Sequence, residues 1–324
     1  MKSLDFLHFP PRELMLSTPS FTTGIAPRQS FQAQIVQRFA GIAYNPLQSY
    51  RWFHFINTHP ILNESAQSVW NLLWKIHRPY LSVDLDCAAR VRLLIQHYQI
   101  VHEAGFSKLA KQAAVRPLRL CSIIGKSGTR YWLELSTTGD KRQAGEWVLR
   151  LISRGICVYT ITFLFTIEDG KKQLVIGSLT GMLSMGRKMG IRQTTWDMYG
   201  WRPKDMMVSL AREIGEALGC SKIVLIGNRN KLPVTDLRFC RKSSDYDRTW
   251  KELNAFSRDD GNFELPCAVA MHELFAAQSR ASRSKRNALI ASVHLNIRKR
   301  LDIQHASSAV IIPLRQPEIQ RKLA

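Results

Sequence analysis

Arg202 and Lys204 flank Pro203 in the run Gly200-Trp201-Arg202-Pro203-Lys204, and cations in that position could hold an anion. A proline suits the first turn of a helix, where its missing N–H would be unpaired anyway. The amides next to it are free and the helix dipole favours negative charge, so a phosphate or carboxylate is the expected ligand of this mouth. Met207, Leu210, Ala211, Ile214 and Leu218 follow at helical spacing, and Gly219 is placed to end the helix. The apolar run Ile223 to Ile226 then reads as a buried strand.

A second anion-binding candidate lies upstream. Gly181-Met182-Leu183-Ser184-Met185-Gly186-Arg187-Lys188 has the glycine spacing of a phosphate-binding P-loop. Arg187 stands where that loop needs Lys, and Lys188 where it needs the magnesium-binding Ser or Thr, which argues against nucleotide hydrolysis. The overlapping Arg187-x-x-Gly190-x-Arg192 resembles the pyrophosphate loop of GCN5-like acetyltransferases, in which Arg or Gln and small residues free backbone amides for coenzyme A. That pattern ends on a small residue, and here it ends on Arg192. The later order of helix, Gly219-Cys220, strand and Asn228 is also found in that superfamily. Under this alternative, Arg187 and Gly190 lie near the pyrophosphate, and coenzyme A or an acyl thioester is the cofactor. Nothing else in the sequence requires one.

Asp245-Tyr246-Asp247, with Trp250 one turn later, offers paired carboxylates for acid–base work. The same spacing suits a helix N-cap with a tethered ring. These four residues are expected to close the Arg202 and Lys204 site or to brace its loop. His97 and His102 are five apart, the wrong spacing for two ligands on one helical turn, so no metal is expected. There is no Gly-x-Ser-x-Gly elbow and no spaced Cys and His pair to act as nucleophile and base. No catalytic residue is therefore assigned, and whether the chain is an enzyme stays open. Six scattered cysteines, Cys87, Cys121, Cys157, Cys220, Cys240 and Cys267, read as free thiols of a reducing compartment.

The elements that must position these residues fall into four stretches. Residues 1 to 30 read as an irregular arm and 31–115 as a helical region, with Trp70 and Trp74 in its core. Residues 116–270 read as the α+β core. Strands are expected at Leu120 to Ile124, Tyr131 to Leu135, Trp147 to Ile152, Ile156 to Ile167, Gln173 to Leu179 and 222–227. Ser127-Gly128 and Asp169-Gly170 read as hairpin turns, so the sheet should be mostly antiparallel. Residues 271–324 supply a basic C-terminal helix over about 285 to 304, and a tail. The predicted fold is thus α+β: a helical region packed on a mostly antiparallel sheet with helices, with an acetyltransferase-like arrangement as one form of it.

Charge narrows the partners. Against 25 acidic residues stand 46 Lys and Arg, for a net charge of +21. Such a field favours an anionic partner: a membrane headgroup, a phosphorylated ligand or an acidic protein. RNA is a further candidate through the C-terminal helix, which carries no acidic residue between Leu274 and Leu301. No stretch is long and apolar enough for a signal peptide or a transmembrane segment, so a cytoplasmic location is expected, with peripheral contact at the inner membrane as an option. The oligomeric state is not legible.

Several blocks together resemble the VirK/YbjX family of Gram-negative bacteria. They are His77-Arg78-Pro79-Tyr80-Leu81, Arg90, His97-Tyr98, Gly145-Glu146, Tyr159 to Phe163, Ile176 to Gly181, Thr194-Thr195, Gly200 to Lys204, Ser244 to Leu253, and Phe263-x-Leu265-Pro266. The chain departs from that pattern after Leu253, where it runs Asn254-Ala255-Phe256 in place of glycines. The resemblance implies a virulence or envelope accessory role: correct surface placement of outer-membrane virulence factors and resistance to cationic antimicrobial peptides. It implies no reaction.

Overall fold

A computed structural model of the chain describes residues 41–65, 70–137, 144–181, 187–232, 245–268 and 280–306. Helices come first. Helix α1 (Pro46–Thr58) is followed by the single turns α2 (Leu62–Ser65) and α3 (Trp70–Leu73), a 3₁₀ turn at Lys75–His77, and then α4 (Cys87–Glu103) and α5 (Ser107–Val115). The helical period expected here is observed: Val91, Leu94 and Tyr98 of α4 are buried, as are Ile76 and Trp74. Asp86 caps α4, its carboxylate accepting the Ala89 N–H at 2.7 Å.

The period then changes to two and a sheet begins. Strands β1 (Leu118–Ile124), β2 (Arg130–Thr137), β3 (Trp147–Ser153), β4 (Ile156–Glu168) and β5 (Lys171–Gly181) form an antiparallel meander. Its tight turns take positive φ at Gly128 (78°), at Arg154 with Gly155 (48° and 76°), and at Asp169 with Gly170 (51° and 73°), a glycine being present in each. Helices α6 (Arg187–Asp197) and α7 (Pro203–Ala217) carry the chain across to β6 (Lys222–Leu225). The helix α8 (Tyr246–Lys251), the strands β7 (Phe256–Ser257) and β8 (Phe263–Pro266), and α9 (Arg280–Ala306) complete the described elements. The strand order is β1-β2-β3-β4-β5-β6-β8-β7. Every pair is antiparallel except β5 with β6. The predicted α+β class and mostly antiparallel sheet are what the structure has.

Helix α7 is buried beyond the expected stripe. Met206, Met207, Val208, Leu210, Ala211 and Ile214 are all inaccessible because α7 touches strands β3 to β6 and is itself contacted by α9. The α9 side of that contact is apolar at Ile290, Val293, Ile297 and Leu301. It is polar at His294, which meets Glu213 at 2.6 Å and the Ser209 hydroxyl at 3.0 Å. Burial disfavours the Glu213 carboxylate, but hydrogen bonds from His294 and Arg298 outweigh it and hold its pKa below the ordinary range. The basic helix is therefore docked by its apolar face, and Arg298 is engaged with Glu213 and Glu216. The expected arm at 1–30, the tail beyond 306 and Cys240 lie outside the described residues.

Candidate functional site

The parallel pair is where the sheet opens. Strands β5 and β6 run together from Gln173↔Lys222 to Ile176↔Leu225, and the Ile226 N–H still reaches the Ile176 carbonyl at 3.1 Å. Beyond that point β5 continues from Gly177 to Gly181 paired with β4. Its other edge faces the start of α8. The Leu179 N–H donates to the Tyr246 hydroxyl at 3.1 Å instead of to a strand. Open α/β sheets bind ligands at such places, outside the carboxyl ends of parallel strands at a change of direction.

Helix α8 is locked there by Asn228, which follows β6. The Asn228 amide side chain donates to Asp245 at 2.8 Å and accepts the Tyr246 N–H at 2.9 Å, while its backbone N–H donates to Asp247 at 2.7 Å. Asp245 is the N-cap, taking the Arg248 N–H at 3.1 Å. The Trp250 indole is fully buried and donates to the Ile226 carbonyl at 2.9 Å. Tyr246 is buried beneath the Lys231 ammonium, which lies 4.1 Å from the ring centroid. Burial raises the Tyr246 pKa and lowers that of Lys231. Asp245, Tyr246, Asp247 and Trp250 thus form one braced corner, the cap with a tethered ring that their spacing suggested.

On the outer side of that corner, Asn228, Asp245, Asp247, Arg248, Lys251 and Glu252 line an open hollow of about 550 Å³. Arg202 and Lys204 reach its rim through Glu252. Arg202, the N-cap of α7, donates to Asp205 at 2.6 Å and to Glu252 at 3.4 Å, and Lys204 is hydrogen-bonded to the same Glu252 oxygen. The helix mouth therefore already holds two carboxylates of the chain. Those bonds from Lys204 keep the Glu252 pKa low. Gly190 sits in α6 and is not part of this hollow, its carbonyl accepting the Thr194 hydroxyl at 2.8 Å. Arg187 opens α6, and its side chain lies outside the described residues, as does the loop 182–186.

A second polar centre adjoins the opening and carries residues to which the sequence reading assigned no site role. Glu146, 2% exposed, accepts hydrogen bonds from the Lys75 ammonium and the Tyr80 hydroxyl, both at 2.6 Å, and from the Tyr98 hydroxyl at 2.6 Å. Burial would neutralise this carboxyl, but the Lys75 charge and the hydrogen bonds around it hold its pKa below the ordinary value. Burial and the adjacent Glu146 push both tyrosines well up. His97 stacks on Phe165 and accepts the Phe165 N–H at 3.2 Å, which fixes a neutral ring; burial lowers its pKa to about 4. Ala144 and Leu81, close in sequence to Glu146 and Tyr80, pack over the start of the opening at Gly177. A side chain there would have its Cβ 2.0 Å from the Ala144 carbonyl oxygen and 2.7 Å from Leu81. The signal available in the sequence was a lone Glu directly before the apolar strand 147–151.

Among the described residues no group of His, Cys, Asp and Glu could hold a metal ion, and no helix is long and apolar enough to cross a membrane. Burial pushes the Cys121, Cys220 and Cys267 thiols up to about 12, so they are inert as nucleophiles. Cys157 is half-buried and hydrogen-bonds Thr160 at 3.2 Å.

The quoted blocks meet in space at these two centres: Tyr80, Tyr98 and Glu146 at one, Leu179 and Tyr246 at the other. The uncharacterized protein YbjX of Escherichia coli (strain K12) is 24% identical over 274 residues, covering 82% of each chain. No solved structure matches. Residues 30–299 match the family described as a protein of unknown function (DUF535), and the chain belongs to that family, the one that contains YbjX.

Proposed function

We propose that this chain uses an acyl thioester in the opening between β5 and β6, as a GCN5-related type of acyltransferase would, in service of the envelope role implied by its likeness to VirK. The observation that carries the reading is the one parallel pair among the described strands, parting after Ile176 and Leu225. Where the strands part, the edge of β5 at Gly181, beyond the Leu179 N–H that Tyr246 already takes, would offer backbone groups to an extended chain bearing its own amides, as the pantetheine arm of coenzyme A does. Helix α6 follows that edge, and its first turn, with Arg187 and Gly190, suits the pyrophosphate.

Isothermal titration with coenzyme A and with acylated acyl carrier protein tests this. Saturable binding is expected, weakened about tenfold or more by Arg187→Glu through loss of a charge-assisted contact, with the thermal midpoint unchanged. Silence at millimolar donor overturns the reading.

A second reading keeps the chain as a non-enzymatic accessory that captures an anion at Arg202 and Lys204. It is favoured by the way both cations converge on one oxygen of Glu252 at the rim of the hollow. An external phosphate would take the place of that carboxylate. Glu252→Gln should then raise affinity for inorganic phosphate, and Arg202→Ala with Lys204→Ala should abolish it at nearly constant thermal stability. If the double variant unfolds instead, the two cations are struts between α7 and α8.

A further inference from the structure

We infer that the end of the sheet formed by the β1–β2 and β3–β4 turns is a docking surface for a bilayer bearing anionic headgroups. Three large apolar side chains are left open there: Ile124 at 48%, Ile156 at 53% and Trp196 at 50% exposure. They belong to one end of the molecule. Ile124 pairs with Arg130 across the first turn, Tyr131 pairs with Ser153, and Ser153 pairs with Ile156 across the second. Adjacent strands are about 5 Å apart, so the backbones of the two isoleucines are only a few strand spacings apart, and the register sets Ile124 on the Arg130 face and Ile156 on the Tyr131 face, flanking this end of the sheet from its two sides. Trp196 joins them because Asp197 is bound into the first turn. Its carboxylate accepts the Ser127 N–H at 2.6 Å and the Tyr131 hydroxyl at 2.8 Å, and its carbonyl accepts the Lys126 N–H at 2.8 Å.

Cations surround these side chains. The Lys126 ammonium lies 4.6 Å from the centroid of the Trp196 ring, and exposed Arg130 and Arg154 stand at the mouths of the two turns. Exposed Arg192 lies one helical turn before Trp196 on α6. Residues 124–130 and 152–158 contain no acidic residue, and the carboxylate that does reach this end, Asp197, is buried. An anionic surface therefore meets apolar tips and positive charge together.

The apolar part selects lipid. Nucleic acid would be held by the cations and stacked on the tryptophan, but two exposed isoleucines give a phosphate backbone nothing. In a headgroup layer the same isoleucines reach acyl chains, an indole sits at the interface, and each nearby cation adds to the attraction. The surface does not include the parting of β5 and β6 or the Glu252 hollow, so its test stands apart from both readings above.

The full chain is spun with vesicles of phosphatidylglycerol mixed equally with phosphatidylcholine, and with phosphatidylcholine alone. Binding is expected to the first. It should be lost in Ile124→Ser with Ile156→Ser, weakened about tenfold or more in Lys126→Ala with Arg154→Ala, and retained in Lys299→Ala with Arg300→Ala on α9. Apart from the half-buried Arg300 these positions are exposed, so thermal midpoints should not move, and any variant whose midpoint falls is replaced by Trp196→Ser read the same way. If the isoleucine variant binds like the parent, or if the α9 variant alone releases, the inference fails. It also fails if polyuridylic acid strips the protein from vesicles and binds the isoleucine variant undiminished.

Discussion

Glu146 is a buried carboxylate with a large energetic stake. A carboxylate taken out of water costs several kcal/mol unless it is paired and hydrogen-bonded, and here one ammonium and two phenols supply that compensation. The three donors come from the 3₁₀ turn, the segment after it and α4, so the contact ties the helical layer to the first residue before β3. Lys75→Met should therefore cost about 3–5 kcal/mol, because it leaves a buried charge without its counter-ion. Tyr98→Phe should cost about 1–3 kcal/mol by leaving one oxygen short of a donor. Adding Glu146→Gln to Lys75→Met should restore much of the loss, since a neutral amide needs no counter-ion and can still hydrogen-bond the two phenols. Urea midpoints of the single and double variants measure this, and a double variant no more stable than Lys75→Met would refute the pairing argument.

At the scale of elements, what was legible is what burial writes as a period. The meander from β1 to β5 was readable because alternate residues such as Leu133, Leu135, Leu149 and Leu151 are buried and glycines punctuate the turns. Helix α7 was readable by its stripe and by Pro203 and Gly219 at its ends. The corner at α8 was half readable: the Asp245 cap is local chemistry, while the partners of Tyr246 and Trp250 lie 67 and 24 residues away and leave no local trace. The carboxylate partner at the α7 mouth was hidden for the same reason. Arg202 and Lys204 read as open cations because Glu252, which meets both, is about 50 residues downstream. The buried Glu146 was present in a quoted block, yet only the fold shows that Lys75, Tyr80 and Tyr98 converge on it.

Across the whole molecule, the opening between β5 and β6 starts after Ile176 and runs to the carboxyl end of β5, where Gly181 pairs with Tyr159, three residues from Ile156. The candidate thioester opening and the candidate lipid surface therefore share one end of the sheet, while the Glu146 cluster holds the helical layer beside them. Acid should loosen that layer first. Burial lowers the pKa of His97, His59 and His77 from the ordinary 6.5 to about 4, with His102 adding to the effect at His59 and Arg90 at His77. Each ring is neutral in the fold and takes up a proton on unfolding between those values. Their contribution is intact above pH 6.5, declines as pH falls toward 4, and is constant below it. Glu146, also lowered, adds a second loss only once pH drops below the ordinary carboxylate range. The fully buried His97 should contribute up to about 1.4 kcal/mol per pH unit within its window, and the half-buried pair less. Urea midpoints followed from pH 8 downward should thus stay level to about 6.5 and then fall. His97→Gln should flatten the first decline and leave the carboxylate phase in place; an unchanged slope in that variant would mean that the buried ring does not govern the acid response.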